Sequence, residues 1–324
     1  MSLLNSTKQS YKPFEYQWAF DAWQAQQRMH WLPEEVPMNE DVFDFHHSLT
    51  TDEREVVTDI LRFFTQADID VEQCYVKNYM RFFKPNEVQM MLISFASMET
   101  VHIQAYSYLL ETLGLDEKEY SAFLEIPCMM KKHEEGTKVW SDSPVDLLKG
   151  LAVYGGFVEG LQLFGSFSVL MNFQRFGLLK GLGQIVTWSV RDESLHANSM
   201  IRLYHELKKE LGINVDDSIK YLSKLFLQNE LEFLDYVFRG EREIRGVKLH
   251  EIKGYMFAIY NMRCKELGIS TPFESESAKE LDYMTDALAS IEKANFFSVR
   301  STEYSKSNLT GSWKEGFESI ENEV

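Results

Sequence analysis

An all-α helical bundle with a dinuclear metal site in its core is the fold class that the sequence predicts, and three observations predict it. Apolar residues recur at helical spacing along nearly the whole chain, and no run alternates as a half-buried strand would. Only seven prolines interrupt 324 residues, which suits long helices. The pattern Glu-x-x-His occurs twice, as Glu99-Thr-Val-His102 and Glu193-Ser-Leu-His196, each preceded at a similar distance by an acidic residue in apolar surroundings.

Residues 1–50 read as mixed, with a proline-containing turn, WLPEEVPM, at Trp31–Met38. Thr50 followed by Glu53 is a capping box ahead of a long helix to about Phe83. Lys84-Pro85-Asn86 breaks the chain, and the next helix carries Met91, Phe95, Met98 and His102 on one face before Gly114 ends it. A shorter amphipathic piece covers about 116–138. Ser143-Pro144 then starts an apolar helix, with Ser as cap and Pro at the first helical position. Phe176–Gly183 reads as a connection, followed by helices over about 182–211, 216–239, 244–267 and 275–294. Beyond Asn295 the chain is Ser- and Glu-rich with isolated Tyr304, Trp313 and Phe317, the composition of a flexible segment that docks through a few aromatic anchors.

The formal net charge of −17 argues against nucleic acid as a partner, because phosphate contacts need clustered Lys and Arg. Part of that acidity belongs inside if buried carboxylates are neutralised by cations. Cys74, Cys128 and Cys264 lie far apart with no C-x-x-C, so neither a disulfide framework nor a zinc site is expected, and a reducing, cytoplasmic compartment fits. The first residues hold no apolar core of signal-peptide length. Leu151–Gln174 is long enough to cross a bilayer, but Glu159 and Gln162 interrupt it, so a helix at the centre of a bundle is expected rather than a membrane span.

Residues three apart on a helix lie about 60° apart around its axis, so a Glu and a His at that spacing reach one ion. Such pairs also arise by chance, so neither Glu-x-x-His is diagnostic alone. Their surroundings decide. Glu159 is the only charged residue between Leu151 and Gln174 and lies 34 positions before Glu193; Asp68 follows Phe63-Phe64 and lies 31 positions before Glu99. Two antiparallel helix pairs of this kind bring four carboxylates and two imidazoles into one core, the arrangement of di-metal carboxylate bundles with Asp68 in place of one Glu. Two divalent cations offset four carboxylates, and oxygen and imidazole ligands suit iron or manganese. Asp70 and Glu72 lie close to Asp68, and periodicity alone does not choose among them. Tyr106, four residues after His102, stacks one turn further along the same face, as a core tyrosine or as a one-electron donor to the metals. Asp192 is a candidate acceptor for a ligand histidine or a helix-surface charge. His46, His47, His133, His205 and His250 lack a comparable setting and read as structural or exposed.

The segments WLPEEVPM, FFTQADIDVEQ, SMETVHIQAYSYLLETLGL, FVEGLQLFGSF, VRDESLHANSM and NFFSVRSTEY, in that order, resemble the small, radical-generating subunit of class I ribonucleotide reductase. The resemblance spans Trp31 to Tyr304. It implies a ferritin-like helical bundle with extra helices over 1–297 as a single domain, and a flexible tail over 298–324. It implies six metal ligands: Asp68, Glu99, His102, Glu159, Glu193 and His196. It makes Tyr106 the counterpart of the radical tyrosine and implies a relay through Trp31, Asp192 and His102, with Tyr304 passing charge to the partner. The implied cofactor is Fe2, Mn2 or MnFe. The implied partners are the large subunit and a second copy of this chain in a homodimer; an activating flavoprotein is a further candidate that the sequence does not decide. Leu163 and polar Ser189 stand where the family often lines the radical pocket with bulky apolar groups, and Ser298 stands where several relatives carry an acidic residue.

Two other classes make different demands. A ferritin-like oxidase or monooxygenase acting directly on a bound substrate calls for a substrate cavity beside the metals and has no use for Tyr304. A metal-storage protein calls for a shorter chain that assembles into a cage.

Overall fold

The computed structural model describes residues 2–5, 10–137, 143–273 and 281–289 of the 324. Among the described residues of Met1–Leu281 there are ten α-helices: α1 (Gln17–Arg28), α2 (Asn39–Phe43), α3 (Thr51–Gln73), α4 (Asn86–Thr112), α5 (Pro127–Thr137), α6 (Pro144–Val153), α7 (Phe164–Asn172), α8 (Lys180–Leu211), α9 (Asp216–Val237) and α10 (Leu249–Glu266). Among the described residues there is no strand, only an isolated bridge between Ile244 and Val247. A second unit, Asp282–Val324, is described only at 282–289, which is helical. The rest of the helix expected over 275–294, and the whole tail with Ser298 and Tyr304, lie outside the described residues.

Local chemistry sets the helix ends. Thr50 Oγ1 accepts from Glu53 N at 3.2 Å while Glu53 Oε2 accepts from Thr50 N at 2.9 Å, so the capping box forms as expected. Ser143 caps α6 through the Asp146 amide. Gly114, at φ +72°, turns the chain so that Leu115 N reaches back to Leu110 O at 3.0 Å and closes α4. Asp41 accepts from the Gly181 and Leu182 amides at 2.9 and 2.7 Å and starts α8.

Four helical rods carry the site. α3 packs on α4, and the rod running from α6 into α7 packs on α8. That rod is the membrane-length stretch. Its middle, Tyr154–Gln162, winds as a π-helix, and its residues are buried except for half-buried Val158. A Cβ on Gly155 would lie 2.6 Å from Met200 Cβ, so glycine lets the rod approach α8. Buried Arg263 donates to Gly160 O at 3.0 Å, tying this wider winding to α10. No helix among the described residues is long and apolar enough to cross a membrane.

Four expectations need correction. Residues 17–28, read as mixed, form α1, which packs across α4 and α8. The piece at 116–138 is two 3-10 turns, Glu117–Tyr120 and Ala122–Glu125, and then α5, because Pro127 sets a new helix start. The connection before α8 is shorter than expected, since Asp41 supplies the cap that lets the helix begin at Lys180. The helix expected from 244 begins at Leu249, because Gly246 at φ +79° turns the chain first.

Candidate metal centre

The four rods bring six buried side chains to one point. Asp68 comes from α3, Glu99 and His102 from α4, Glu159 from the π-helical stretch, and Glu193 and His196 from α8. Their ligand atoms form two groups. Asp68, Glu99 and His102 make one, and Glu99, Glu159, Glu193 and His196 the other; within each, the atoms lie within 4.8 Å of one another. Glu99 belongs to both. Asp70, the sequence alternative to Asp68, instead pairs with His133 Nδ1 at 2.6 Å, and Glu72 enters neither group.

Both imidazoles point Nδ1 into the cluster and Nε2 away from it. His102 Nδ1 lies 3.2 Å from Glu193 Oε1 and 3.3 Å from Glu99 Oε2, and its Nε2 lies 3.3 Å from Asp192 Oδ2. His196 Nδ1 lies 2.9 Å from Glu99 Oε1 and its Nε2 3.0 Å from Gln26 Oε1. With the Nε2 proton donated outward, a neutral ring turns its Nδ1 lone pair towards carboxylate oxygens, an arrangement that is satisfied by a metal ion or by a second ring proton.

The unpaired atoms show what fits there. Asp68 Oδ2, Glu99 Oε1, Glu159 Oε2, Glu193 Oε2 and His196 Nδ1 are all buried without a hydrogen-bond partner. His196 Nδ1 approaches Glu99 Oε1 to 2.9 Å without forming a hydrogen bond, so neither atom is satisfied by the other. Such orphans destabilise a core unless something charged satisfies them. The donor set, four carboxylates and two imidazoles without sulfur, fits two divalent ions of the iron or manganese kind.

Electrostatics agree. Burial pushes the carboxyls of Asp68 and Glu159 well above the ordinary range, and burial with the Glu99 charge raises Glu193 to about 7. Burial also works to raise Glu99, but the hydrogen bond and charge of His102 and the nearby His196 ring outweigh it and hold Glu99 down to about 2. For His102, burial opposes the charged ring, yet the bonds to Asp192, Glu193 and Glu99 push it well above its usual value. The site attracts positive charge.

Around the ligands the structure adds partners, some expected and some not. Asp192 Oδ2 accepts Trp31 Nε1–H at 2.8 Å as well as facing His102, while Arg191 lies beside its other oxygen at 3.2 Å. Trp31 and Asp192 are thus joined by a hydrogen bond. Tyr106 is buried, stacks on Phe64 at 4.5 Å and donates to Ser189 Oγ at 3.1 Å. Two residues escaped sequence reasoning. Tyr75 donates a 2.6 Å hydrogen bond to Glu159 Oε1; it lies seven residues after Asp68, a same-face spacing that was available as a signal. Gln26 receives His196 and reaches Asp192 Oδ1 at 3.4 Å, linking both histidines, but it sits on the helix the sequence did not reveal. Other histidines are structural: His46 Nε2 meets Leu113 O at 3.1 Å and His205 Nε2 meets Glu266 O at 2.7 Å.

Known proteins share this architecture. Probable ribonucleoside-diphosphate reductase small subunits of Invertebrate iridescent virus 3 and Invertebrate iridescent virus 6 are each 35% identical to this chain. The first match covers 96% of this chain and 88% of the relative, the second 97% and 98%. The solved ribonucleotide reductase R2 subunit from Clostridium botulinum has the same fold, with a TM-score of 0.79 at 23% identity over 89% of this chain and 94% of that one. The family model described as ribonucleotide reductase, small chain, matches residues 8–280. With that span and those relatives, the chain belongs to the ribonucleotide reductase small-chain family.

Proposed function

We propose that this subunit of ribonucleoside-diphosphate reductase, an oxidoreductase, initiates radicals from a metal pair held by Asp68, Glu99, His102, Glu159, Glu193 and His196, as Fe2, Mn2 or MnFe. The observation that carries the reading is that five of those six residues each hold a buried atom without a hydrogen-bond partner, and that these atoms converge on one cluster. When bound and treated with an oxygen species, the metal pair supplies a one-electron oxidising equivalent.

The chain's own groups then have distinct tasks. Asp192 holds His102 and Trp31 on the same oxygen, so the buried site and the Trp31 indole share one hydrogen-bonded junction. An electron moving between Trp31 and the site would pass this junction while the Trp31 Nε1 proton stays in its hydrogen bond to Asp192. Tyr106 is the one-electron donor; burial and the Asp68 charge push its phenol well above the usual range, so the hydroxyl stays protonated until oxidised, with Ser189 Oγ accepting its bond. Tyr75 buttresses Glu159. The reaction served is reduction of ribonucleotides to deoxyribonucleotides on the large subunit, where a thiyl radical forms. The tail over 298–324 docks on that subunit, and Tyr304 relays to it. The subunit acts as a homodimer in the cytoplasm, with a flavoprotein supplying the oxidant where manganese is used. The family match supports this reading over direct oxidation of a bound substrate.

The test is reconstitution with iron, manganese or both, followed by metal analysis, electron paramagnetic resonance and a reductase assay with a large subunit. Two metals per chain, an oxidised signal and partner-dependent activity are expected. Absence of bound metal after both aerobic and anaerobic loading would sink the reading.

A further inference from the structure

Trp31 is 2% exposed, so charge that reaches it still lies inside the protein. Among the described residues, two aromatic rings lie within stacking distance of it. His102 stands on the metal side with ring centroids 5.9 Å apart, and Trp188 on the other side at 5.1 Å with an interplanar angle of 48°. Trp188 is half-buried and forms one wall of a surface groove of about 570 Å³, with Glu35, Glu40, Asp41, Lys180 and Gln184 among its other walls. It sits on α8 one turn before Asp192, which places its ring beside the junction that Asp192 organises.

We propose that Trp188 is a relay residue that carries the oxidising equivalent from buried Trp31 to this groove. The inference rests on the proposed radical-initiating function. Indole is among the most easily oxidised side chains, and electron exchange falls off steeply with distance, so two indoles in contact exchange an electron far faster than Trp31 and any acceptor across the protein wall. In the step, one electron passes from the Trp188 indole to the oxidised Trp31 indole. Trp31 returns to its closed-shell form and keeps its Nε1 proton on the hydrogen bond to Asp192 Oδ2. Trp188 becomes the radical cation and releases its indole proton to water in the groove. No bond to carbon forms or breaks, and the oxidant is the equivalent that the metal pair delivers. The groove suits a cation: three carboxylates and one lysine line it, and Lys180 is already paired with Glu40 at 2.8 Å.

Two variants separate relay from packing. Trp188→Phe and Trp188→Tyr leave nearly the same space beside Trp31, but only tyrosine is redox-active. The full-length chain is loaded with metal and oxidant without any large subunit, and decay of its oxidised signal is followed on adding ferrocyanide, a reductant confined to solvent. Decay is expected to slow about tenfold in Trp188→Phe, equivalent to about 1.4 kcal/mol on the barrier, and to recover in Trp188→Tyr. After repeated oxidant cycles, peptide mapping is expected to place oxidised tryptophan at position 188 in the native chain, and to lose it in Trp31→Phe. Equal decay in Trp188→Phe and the native chain, or undiminished oxidation of Trp188 in Trp31→Phe, would overturn the relay. If the native chain forms no oxidised signal on loading, the radical-initiating reading itself fails and the relay falls with it, an outcome distinct from a normal signal that ignores Trp188. A Phe variant that misfolds is recognised by its metal content, and peptide mapping in the Trp31→Phe background still decides.

Discussion

Glu99 presents one oxygen to each histidine of the site: Oε1 lies 2.9 Å from His196 Nδ1, and Oε2 lies 3.3 Å from His102 Nδ1. It is the one carboxylate common to both ligand groups. Glu99→Ala is therefore expected to abolish two-metal loading rather than to remove one ion cleanly. Binding also stabilises: a metal at about a hundred times its dissociation constant adds about 2.7 kcal/mol per site. Thermal unfolding with and without manganese should show that gain in the native chain and lose it in Glu99→Ala. A variant that still binds two ions would show that Glu99 is not needed by both ligand groups.

Acid sensitivity is expected at a place remote from the metals. Glu53 closes the α3 capping box and takes a fork from Arg245, whose Nε and second guanidinium nitrogen donate at 2.6 and 2.7 Å. Burial raises the Glu53 carboxyl, but the Arg245 hydrogen bonds and charge, with the Thr50 amide, lower it to about 2 from an ordinary 4.5. A group depressed on folding stabilises the fold above its unfolded value and loses that contribution as pH falls through the folded one. The contribution is thus complete above pH 4.5 and lost towards pH 2. Allowing for solvent around the pair, it is about 1–2 kcal/mol. Urea unfolding of metal-free chain should show Glu53→Gln less stable by that amount at pH 6 and converging with the native chain near pH 2. A constant difference across that range would refute the assignment.

The buried cluster was legible because carboxylates and histidines gathered at one point of a core form a pattern that helices otherwise avoid. A carboxylate inside an apolar rod, as at Glu159, has few explanations, and Glu and His three apart share one face. The spacing could not separate Asp68 from Asp70, since only tertiary packing decides which of two carboxylates two residues apart turns inward; His133 takes the other. The helix carrying Gln26 was illegible for a different reason. Its buried stripe is Ala19, Ala22 and Gln26, two small residues and an amide, so no strong apolar period marks it. Neutral partners such as Gln26 and Tyr75 leave no trace in charge patterns, although they orient the ligands. The start of α10 was misread because Gly246 permits a turn inside a run that scores as helical.

Tyr106→Phe tests where the oxidising equivalent resides. The hydroxyl donates to Ser189 at 3.1 Å, and losing that bond costs about 1 kcal/mol, too little to disturb the core. Metal content should therefore stay at two. The expected outcome is loss of a tyrosyl resonance and a fall in reductase rate of about 100-fold, equivalent to about 2.7 kcal/mol on the barrier. Full activity in Tyr106→Phe would instead place the equivalent on the metals, with Tyr106 reduced to a packing role against Phe64.

The two histidines are anchored by different chemistry, and that difference is testable. His102 leans on the Asp192 carboxylate, whereas His196 leans on the neutral Gln26 oxygen. An outward acceptor fixes the tautomer with the proton on Nε2 and leaves Nδ1 free to ligate; removing it typically costs about 10–100-fold in metal affinity or activity. In Gln26→Leu the His196 ring loses that bias, so the loss should fall on the position built from Glu99, Glu159, Glu193 and His196, leaving one tight metal and one weak. In Asp192→Asn the His102 anchor weakens and the Trp31 bond loses its charged acceptor, so metal affinity and the rate of charge transfer to the large subunit should fall together. Competition titrations with a chelator, paired with transfer kinetics, distinguish the two variants. Identical behaviour of Gln26→Leu and Asp192→Asn in both measurements would show that the network acts as one unit and that the asymmetry has no functional consequence.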